Sequence, residues 1–269
     1  MRRTAIPLNL ALFVAVAFLP RICLASSVYA VTSDKEFGTL DLGSGQFTVI
    51  GSGLNGGTFK AGLALLDGVL YTGSVPDDNL DSINPATAVA TTIGGGAVHQ
   101  IGSTLTGLYT FDSSLDLVSI DPSTGDTTVI GSMGIPAGQP KTFSTDGSSL
   151  YLSNGPDFYS VDTTTGAASL IGSFGPNGPS DYMEAMTFVG GILYGETADP
   201  KYPQDLFTID PGTGLATLDT AVSGVNANQA IYGMASSAAP EPGGAALITA
   251  GFAGFLLVRR SRRRLTEKM

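Results

Sequence analysis

The sequence predicts an all-β protein whose body is built from repeated small sheets. Three observations lead to this prediction: an apolar residue followed by tyrosine recurs along the chain, a turn motif follows each pair, and short alternating segments separate them. The recurring tyrosines are spaced by 42, 38, 42 and 43 residues. They are Tyr29, Tyr71, Tyr109, Tyr151 and Tyr194. A period near 40 residues is typical of architectures in which each repeat is one supersecondary unit.

The turn motif begins with Asp or Asn and has glycine at its fifth position in four of the five repeats. The first side chain accepts hydrogen bonds from backbone N–H groups just ahead, and the glycine supplies a left-handed backbone conformation. Ala88 takes the fifth position in the second repeat, so we expect strain or a different turn there. The first residues of the five motifs are Asp41, Asn84, Asp121, Asp162 and Asp210.

The segments between the turns read as strands. Residues 115–120 and 158–161 alternate β-branched or aromatic residues with polar ones, and further strands are expected before the tyrosines, as in 61–66, 142–145 and 185–189. Four short strands in about 42 residues match one blade of a β-propeller. We therefore predict a five-bladed β-propeller, with six blades as the alternative.

The two ends of the repeat region complement each other. The first repeat lacks its leading strand, whereas a surplus strand over residues 231–235 stands at the far end of the predicted domain, residues 26–237. We predict that this strand completes the first blade. Closing the ring in this way removes the open sheet edges.

The first 25 residues have the features of an export signal. Arg2 and Arg3 give a positive start, an apolar segment follows, and small residues precede the expected cleavage site. We expect cleavage between Ala25 and Ser26, which removes a helical signal peptide over residues 1–25. An uncleaved anchor helix is the alternative, although the apolar segment is short.

The end of the chain has three parts. Residues 238–242 form a proline-containing linker that cannot continue a helix. Residues 243–258 carry no charge, and as a helix they measure about 24 Å against a bilayer core of about 30 Å. Because flanking arginines can snorkel, we predict a short transmembrane helix there and a basic cytoplasmic tail over 259–269. The arginines that set this topology are Arg259, Arg260, Arg262, Arg263 and Arg264.

This C-terminal order resembles the PEP-CTERM sorting signal. The resemblance covers about 30 residues, in which Pro240, Glu241 and Pro242 precede the apolar segment and the arginine cluster. It implies that an exosortase, a membrane enzyme, recognises and cuts the tail, and that the host makes extracellular polysaccharide. An ordinary stop-transfer anchor is the alternative. The central region is also similar, more loosely, to secreted propellers with an apolar-tyrosine and Asp-Pro-x-Thr-Gly repeat.

Charge and composition exclude several classes of function. Between Ser26 and Pro242 the chain has four lysines, no arginine and 22 acids, so its formal charge is about −18. Such a surface repels phosphate backbones, and we predict no nucleic-acid partner. The whole chain has one cysteine and one histidine, which excludes a disulfide scaffold and a Cys/His zinc site.

A few motifs remain to be interpreted. Residues 51–56 match a dinucleotide fingerprint, but no helix is expected after them, so we interpret them as a connection between blades. His99 is interpreted as a packing or surface residue. The weak metal candidate is Asp77, Asn79 and Asp81, which alternate as at the start of a calcium loop, with a solvated acidic hairpin as the alternative. No other cofactor is predicted.

The sequence favours an exported, surface-sorted, non-enzymatic propeller. We expect a scaffold or adhesin in an extracellular polysaccharide matrix, anchored in the inner membrane before processing and then held at the cell surface or in the matrix. The alternative is a propeller enzyme of the lyase or lactonase type, and a ligand-sensing ectodomain is a third interpretation. The five repeated tyrosines are expected either to pack between blades or to line a sugar-binding face.

Overall fold

A computed structural model gives the fold of the chain. It describes residues 27–54, 59–96, 98–137, 141–197, 204–226 and 229–236. The predicted signal peptide, linker, transmembrane helix and basic tail lie outside these residues. The described residues contain no helix that is long and apolar enough to cross a membrane.

The described residues form twenty β-strands. In chain order these are β1 (Ser27–Thr32), β2 (Phe37–Asp41), β3 (Phe47–Gly51), β4 (Phe59–Leu66), β5 (Val69–Val75), β6 (Asn79–Asn84), β7 (Val89–Gly94), β8 (Gly102–Ser103), β9 (Leu108–Phe111), β10 (Asp116–Ile120), β11 (Thr127–Ser132), β12 (Lys141–Thr145), β13 (Leu150–Asn154), β14 (Asp157–Val161), β15 (Ala168–Ser173), β16 (Ala185–Val189), β17 (Ile192–Thr197), β18 (Asp205–Ile209), β19 (Ala216–Ala221) and β20 (Ile231–Ser236).

These strands make five antiparallel four-stranded sheets, which are the blades of a β-propeller. Blade 1 contains β20, β1, β2 and β3, and blades 2 to 5 follow with β4–β7, β8–β11, β12–β15 and β16–β19. The structure therefore confirms the five-bladed prediction over the six-bladed alternative. The leading strand of blade 3, β8, has only two residues, which explains why its sequence carries a weak strand signal.

The last strand closes the ring, as predicted. β20 pairs antiparallel with β1, from Val28 opposite Ser236 to Thr32 opposite Ile231. The first strand of each blade lies innermost, since β20, β4, β8, β12 and β16 contact one another in a closed circle around the axis. β20 and β4 approach so closely that a Cβ on Gly233 would lie 2.5 Å from the carbonyl carbon of Gly62.

In the described residues, the core is divided into five hydrophobic clusters, one between each pair of neighbouring blades. One cluster joins Phe37 of blade 1 to Leu70 of blade 2, and another joins Phe158 of blade 4 to Phe207 of blade 5. Alternating apolar residues on the middle strands fill these clusters from both sides. Stability therefore depends on contacts between consecutive blades, as in other repeat proteins.

The five predicted turns form with the expected chemistry. In each, the first side chain accepts a backbone hydrogen bond of 2.8–2.9 Å from two or three residues ahead. The fifth residue has a positive φ in every case, including Ala88 at 57°. Ala88 thus keeps the common turn in a conformation that costs a non-glycine residue about 1–2 kcal/mol, which is the strain that the sequence predicts.

The turns also contact the neighbouring blade. Gly131, near the end of β11, lies under the turn of blade 4, where an added Cβ would be 2.3 Å from the carbonyl oxygen of Thr165. Gly51 of blade 1 and Gly172 of blade 4 occupy the same position against the next turn. Residues 51–54 therefore belong to the connection between blades, as predicted for the fingerprint-like segment, whose remaining residues 55 and 56 lie outside the described part.

Candidate functional site

The candidate binding site is a cavity of about 340 Å³ on the ring axis. It opens at the end where the innermost strands finish and turn into the second strands of the blades. We call it the axial cavity. All five blades line it, and the innermost strands contribute Leu65, Ser103, Ser144, Thr187 and Ala235, among others.

The lining of the axial cavity combines hydroxyl groups with apolar side chains. Three of the hydroxyls belong to Ser103, Ser144 and Thr187, and the apolar part includes Phe143 and Phe188. The hydroxyl of Ser103 donates to the carbonyl oxygen of Leu65 at 2.9 Å. Such a mixture fits a ligand that has hydroxyl groups on its edges and C–H groups on its faces.

Ser144 has an unsatisfied hydroxyl at the cavity. Its side chain is 5% exposed, and its Oγ has no hydrogen-bond partner among the described residues. Ser144 stands opposite Tyr151 in the β12–β13 pair, and Thr187 stands opposite Tyr194 in the equivalent pair of blade 5. A buried hydroxyl without a partner is costly, which makes Ser144 a natural contact for a polar ligand.

Asp146 is the one ionisable residue among the described residues that line the axial cavity. Its Oδ1 accepts hydrogen bonds from the N–H groups of Ser148 and Ser149 at 2.9 and 2.7 Å, and its Oδ2 accepts from the Tyr151 hydroxyl at 3.2 Å. Burial opposes the charge on Asp146, but these hydrogen bonds prevail and lower its pKa. The carboxylate is thus held ionised by its own turn.

The rim of the cavity is tied together across two blades. The N–H of Leu105, in the β8–β9 turn, donates to the carbonyl oxygen of Gly147 in the β12–β13 turn at 2.8 Å. The side chain of Leu105 is 76% exposed beside the opening. An apolar side chain in this position is available to a ligand and contributes little to the core.

The repeated tyrosines pack between blades. Tyr71 and Tyr109 are each 8% exposed and belong to the hydrophobic clusters that join blades 2 and 3 and blades 3 and 4. Tyr29 stacks on Phe37 with ring centroids 5.5 Å apart. This arrangement matches the packing interpretation and not a row of tyrosines along a sugar-binding face.

A second feature is a pair of acids between blade 5 and the closing strand. Glu196, in β17, is 0% exposed and pairs with Ala185 in β16. Neither carboxyl oxygen of Glu196 has a hydrogen-bond partner in the described residues. Glu184 lies just before β16, and its N–H donates to the carbonyl oxygen of Glu196 at 2.8 Å. The pair lies at the end of the ring opposite the axial cavity.

Burial controls the protonation of both acids. It raises the pKa of Glu184 to about 7, against a lowering by the hydrogen bond from the Tyr182 hydroxyl. Burial also raises the pKa of Glu196 well above its usual value, and the charge of Glu184 raises it further. The N–H of Ile231 faces Glu196 and opposes this rise, although it does not reach full hydrogen-bond geometry. Burial therefore favours the neutral form of the Glu196 carboxyl.

The calcium candidate lies in the hairpin between β5 and β6. Asp77 is an exposed residue of the turn, whereas Asp81 is 1% exposed and its Oδ2 accepts a hydrogen bond of 2.9 Å from the Ser74 hydroxyl. In the described ranges, no three His, Cys, Asp or Glu side chains form a group that would hold a metal ion. The three candidate residues therefore differ in their surroundings, because Asp77 is exposed whereas Asp81 is buried and engaged by the Ser74 hydroxyl.

His99 is a partly exposed residue. Its Nδ1 lies 3.4 Å from a carboxylate oxygen of Asp78, and both side chains are a little over a third exposed. Neither residue lines the axial cavity. This position agrees with the interpretation of His99 as a surface residue.

The acid pair is the feature that sequence reasoning missed. The sequence carries a signal for it, because the residue two positions after each repeated tyrosine lies on the same face of its strand as that tyrosine. At this position the other repeats have Val31, Gly73, Phe111 and Ser153, whereas blade 5 has Glu196. Comparison of the repeats at this position would have identified the charged residue before the structure was known.

Comparisons with known proteins bear on the fold. No protein-family profile matches the sequence, and no curated protein matches it. A protein of unknown function from Bacteroides thetaiotaomicron has a similar structure, with a TM-score of 0.52 and 16% identity over 72% of this chain. The chain spans about half of that protein, 55% of its length. A chain of a nidogen/laminin complex is similar over 79% of this chain and 81% of its own length, with a TM-score of 0.51 and 16% identity. At such identities the likeness supports the propeller fold alone.

Proposed function

We propose that this chain is an exported, non-enzymatic propeller that is sorted to the cell surface and binds extracellular polysaccharide as a scaffold or adhesin. The observation that carries the binding part is the axial cavity, which is formed before any ligand arrives and is lined by hydroxyl and apolar groups from all five blades. Pre-formed cavities of this size are typical of ligand sites.

The sorting part of the proposal depends on the two ends of the sequence. The signal-like residues 1–25 support export, and the Pro240–Pro242 motif with its apolar segment and arginine cluster supports recognition by an exosortase-like enzyme. Ser236, the last described residue, lies at the mouth of the axial cavity.

The chemistry of the cavity favours binding over catalysis. Asp146 is already engaged by its own turn, and its lowered pKa makes it a weak proton acceptor at neutral pH. Glu184 and Glu196, whose pKa values are raised by burial, lie at the other end of the ring. A lyase or lactonase would need a proton acceptor that faces the substrate, and the cavity offers its substrate mainly hydroxyls and carbon surfaces.

Mass spectrometry of the protein from its host tests the sorting. We expect a chain that starts near Ser26 and ends near Pro242 in the surface or matrix fraction. An intact chain in the cytoplasm would contradict both export and sorting. If the chain is found at the surface and still carries residues 243–269, it is a permanently anchored protein and not an exosortase substrate.

Co-sedimentation with the host's extracellular polysaccharide tests the binding. The protein is expected to sediment with the polysaccharide. The length distribution of the polysaccharide should stay unchanged after long incubation with the protein. A chain that stays in the supernatant at every concentration would contradict the adhesin role. If size-exclusion chromatography shows that the polysaccharide has become shorter, the alternative of a propeller enzyme is favoured instead.

A further inference from the structure

We propose that the axial cavity holds a single neutral sugar unit, of the size of a hexose, from the polysaccharide chain. This inference rests on the proposed function, because it names the part of the polysaccharide that the cavity takes. Three properties of the axial cavity lead to this ligand: the volume of the cavity, the unsatisfied hydroxyl in its lining and its charge.

The volume suits one sugar ring. A cavity of about 340 Å³ lies near the lower end of the range of about 300–1,000 Å³ that is typical of small-molecule sites, so it suits a ligand as small as a hexose. The cavity is therefore matched to one residue of a chain, with the neighbouring residues at its mouth.

The hydroxyl of Ser144 provides a polar contact that the protein leaves unmade. Its Oγ is buried at the cavity without a partner in the described residues, whereas the Ser103 hydroxyl at the same level donates to Leu65. A sugar hydroxyl is both donor and acceptor, so it can satisfy Ser144 in either direction. A purely apolar ligand would leave Ser144 unsatisfied and bury it further.

The apolar part of the cavity faces the carbon skeleton of a sugar. Leu105 offers an exposed side chain at the rim, and Phe188 lines the wall with its ring 5.4 Å from that of Tyr151. The C–H groups on one face of a hexose are complementary to such surfaces. Apolar and hydroxyl groups together favour a sugar over an amino acid or a phosphate ester.

The charge of the cavity selects a neutral unit. In the part of the lining that the structure describes, Asp146 carries the one ionisable group, and hydrogen bonds within its own turn occupy it. Among the described residues, no lysine or arginine lines the cavity, and the surrounding domain carries an excess of acids. A uronate or a sulfated sugar would enter without a counter-charge, which costs free energy that a neutral hexose avoids.

Saturation-transfer NMR on the full chain in detergent tests the inference. The probes are the methyl glycosides of glucose, galactose and mannose, with glucuronate as the charged comparison. At least one neutral glycoside is expected to receive saturation, and glucuronate is expected to receive none. If no neutral glycoside binds, or if glucuronate binds as well as they do, the inference is wrong.

Two variants then place the site. Ser144→Ala removes the hydroxyl and should weaken the binding of the neutral glycoside about fivefold, which corresponds to the loss of one net hydrogen bond. Leu105→Ser removes the exposed apolar rim without touching the core and should also weaken it several-fold. Ser169→Ala in β15 is the matched control, because this serine is exposed on the outer strand of the same blade. If all three variants bind the glycoside as tightly as the unchanged chain does, the axial cavity is not the binding site.

The two proposals fail separately. If the chain sediments with the host polysaccharide and Ser144→Ala sediments equally well, the adhesin role stands and the axial cavity is not its site. If the chain binds a neutral glycoside in the cavity but is found intact in the cytoplasm, the site stands and the surface role is wrong.

Discussion

Glu196 occupies an interface position that the other blades fill with uncharged residues. It contacts the start of β20, the strand that closes the ring, and Glu184 and Asp205 add to its difficulty in ionising. Tyr182 and Tyr232 are the other titratable groups that face this pair, and burial raises the pKa of both. The protonation of the Glu196 carboxyl is therefore coupled to the contact between blade 5 and blade 1.

This coupling predicts that stability falls as the pH rises. Both acids have folded pKa values above their unfolded value, so the folded chain keeps protons that the unfolded chain releases. The two acids do not destabilise the fold below about pH 4.5, where they are protonated in both the folded and the unfolded chain. The loss of stability from Glu184 grows as the pH rises to about 7 and then amounts to a free energy on the order of 3 kcal/mol. The melting temperature should decrease over this range.

The variant Glu196→Gln isolates the contribution of Glu196. Its melting temperature should vary less between pH 5 and pH 8 than that of the unchanged chain, because one of the two buried acids no longer ionises. Asp126→Asn, at an exposed turn position of blade 3, serves as the control and should leave the profile as it is. An unchanged slope in Glu196→Gln would show that this carboxyl does not couple protonation to folding.

At the scale of the element, the repeated turn serves two purposes. It joins the third and fourth strands of a blade, and its backbone packs onto a glycine of the preceding blade. The same residues therefore set the geometry of a hairpin and the distance between blades. This double use explains why glycine recurs after the apolar residues in Ile50-Gly51, Ile130-Gly131 and Ile171-Gly172.

The substitution Gly131→Ala tests this contact. The new methyl group would lie 2.3 Å from the backbone oxygen of Thr165, so the blades must move apart, and we expect a loss of at least about 2 kcal/mol. Gly96→Ala is the control, since a Cβ there meets nothing within 4 Å, and it should change stability by less than about 0.5 kcal/mol. Urea denaturation measures both, and equal stability of the two variants would refute the packing role.

At the scale of the whole molecule, the ring depends on one pairing between distant parts of the chain. β1 and β20 are more than 190 residues apart in sequence, and further bonds join the same ends, including Gln229 Nε2 to Asp34 Oδ2 at 2.7 Å. Each remaining blade is made from consecutive residues. The closing pair is therefore the contact that turns a row of blades into a ring with an axial cavity.

Truncation measures this closure. A chain that ends at Gln229 lacks β20, exposes the inner edge of β1 and loses the buried side chains of Ile231 and Met234. It should lose cooperative unfolding and aggregate, because an open edge pairs with other chains. A chain that ends at Ser236 should melt at the temperature of the full chain. Equal melting of both truncated chains would mean that the ring holds without its last strand.

Much of this architecture could be predicted from the sequence, because it depends on local rules repeated five times. The turn chemistry of Asp41 and its equivalents is local, as is the alternation in segments such as 158–161, and five repeats average out the weak signal of a two-residue strand such as β8. Closure by β20 could also be predicted, since one repeat lacked a strand and one strand was surplus.

The sites depended on the tertiary structure. Ser144 and Leu105 are unremarkable in sequence, and their roles arise because the innermost strands of different blades converge on one axis. Asp81 is similar to its neighbours in an acidic segment, yet one register position buries it. The repeat, its turns and its closing strand can be predicted from the amino-acid sequence, because they follow from residues close in the chain or from a count of strands. The position of the cavity and the burial of particular acids require the folded ring, because desolvation depends on what distant blades place around a side chain.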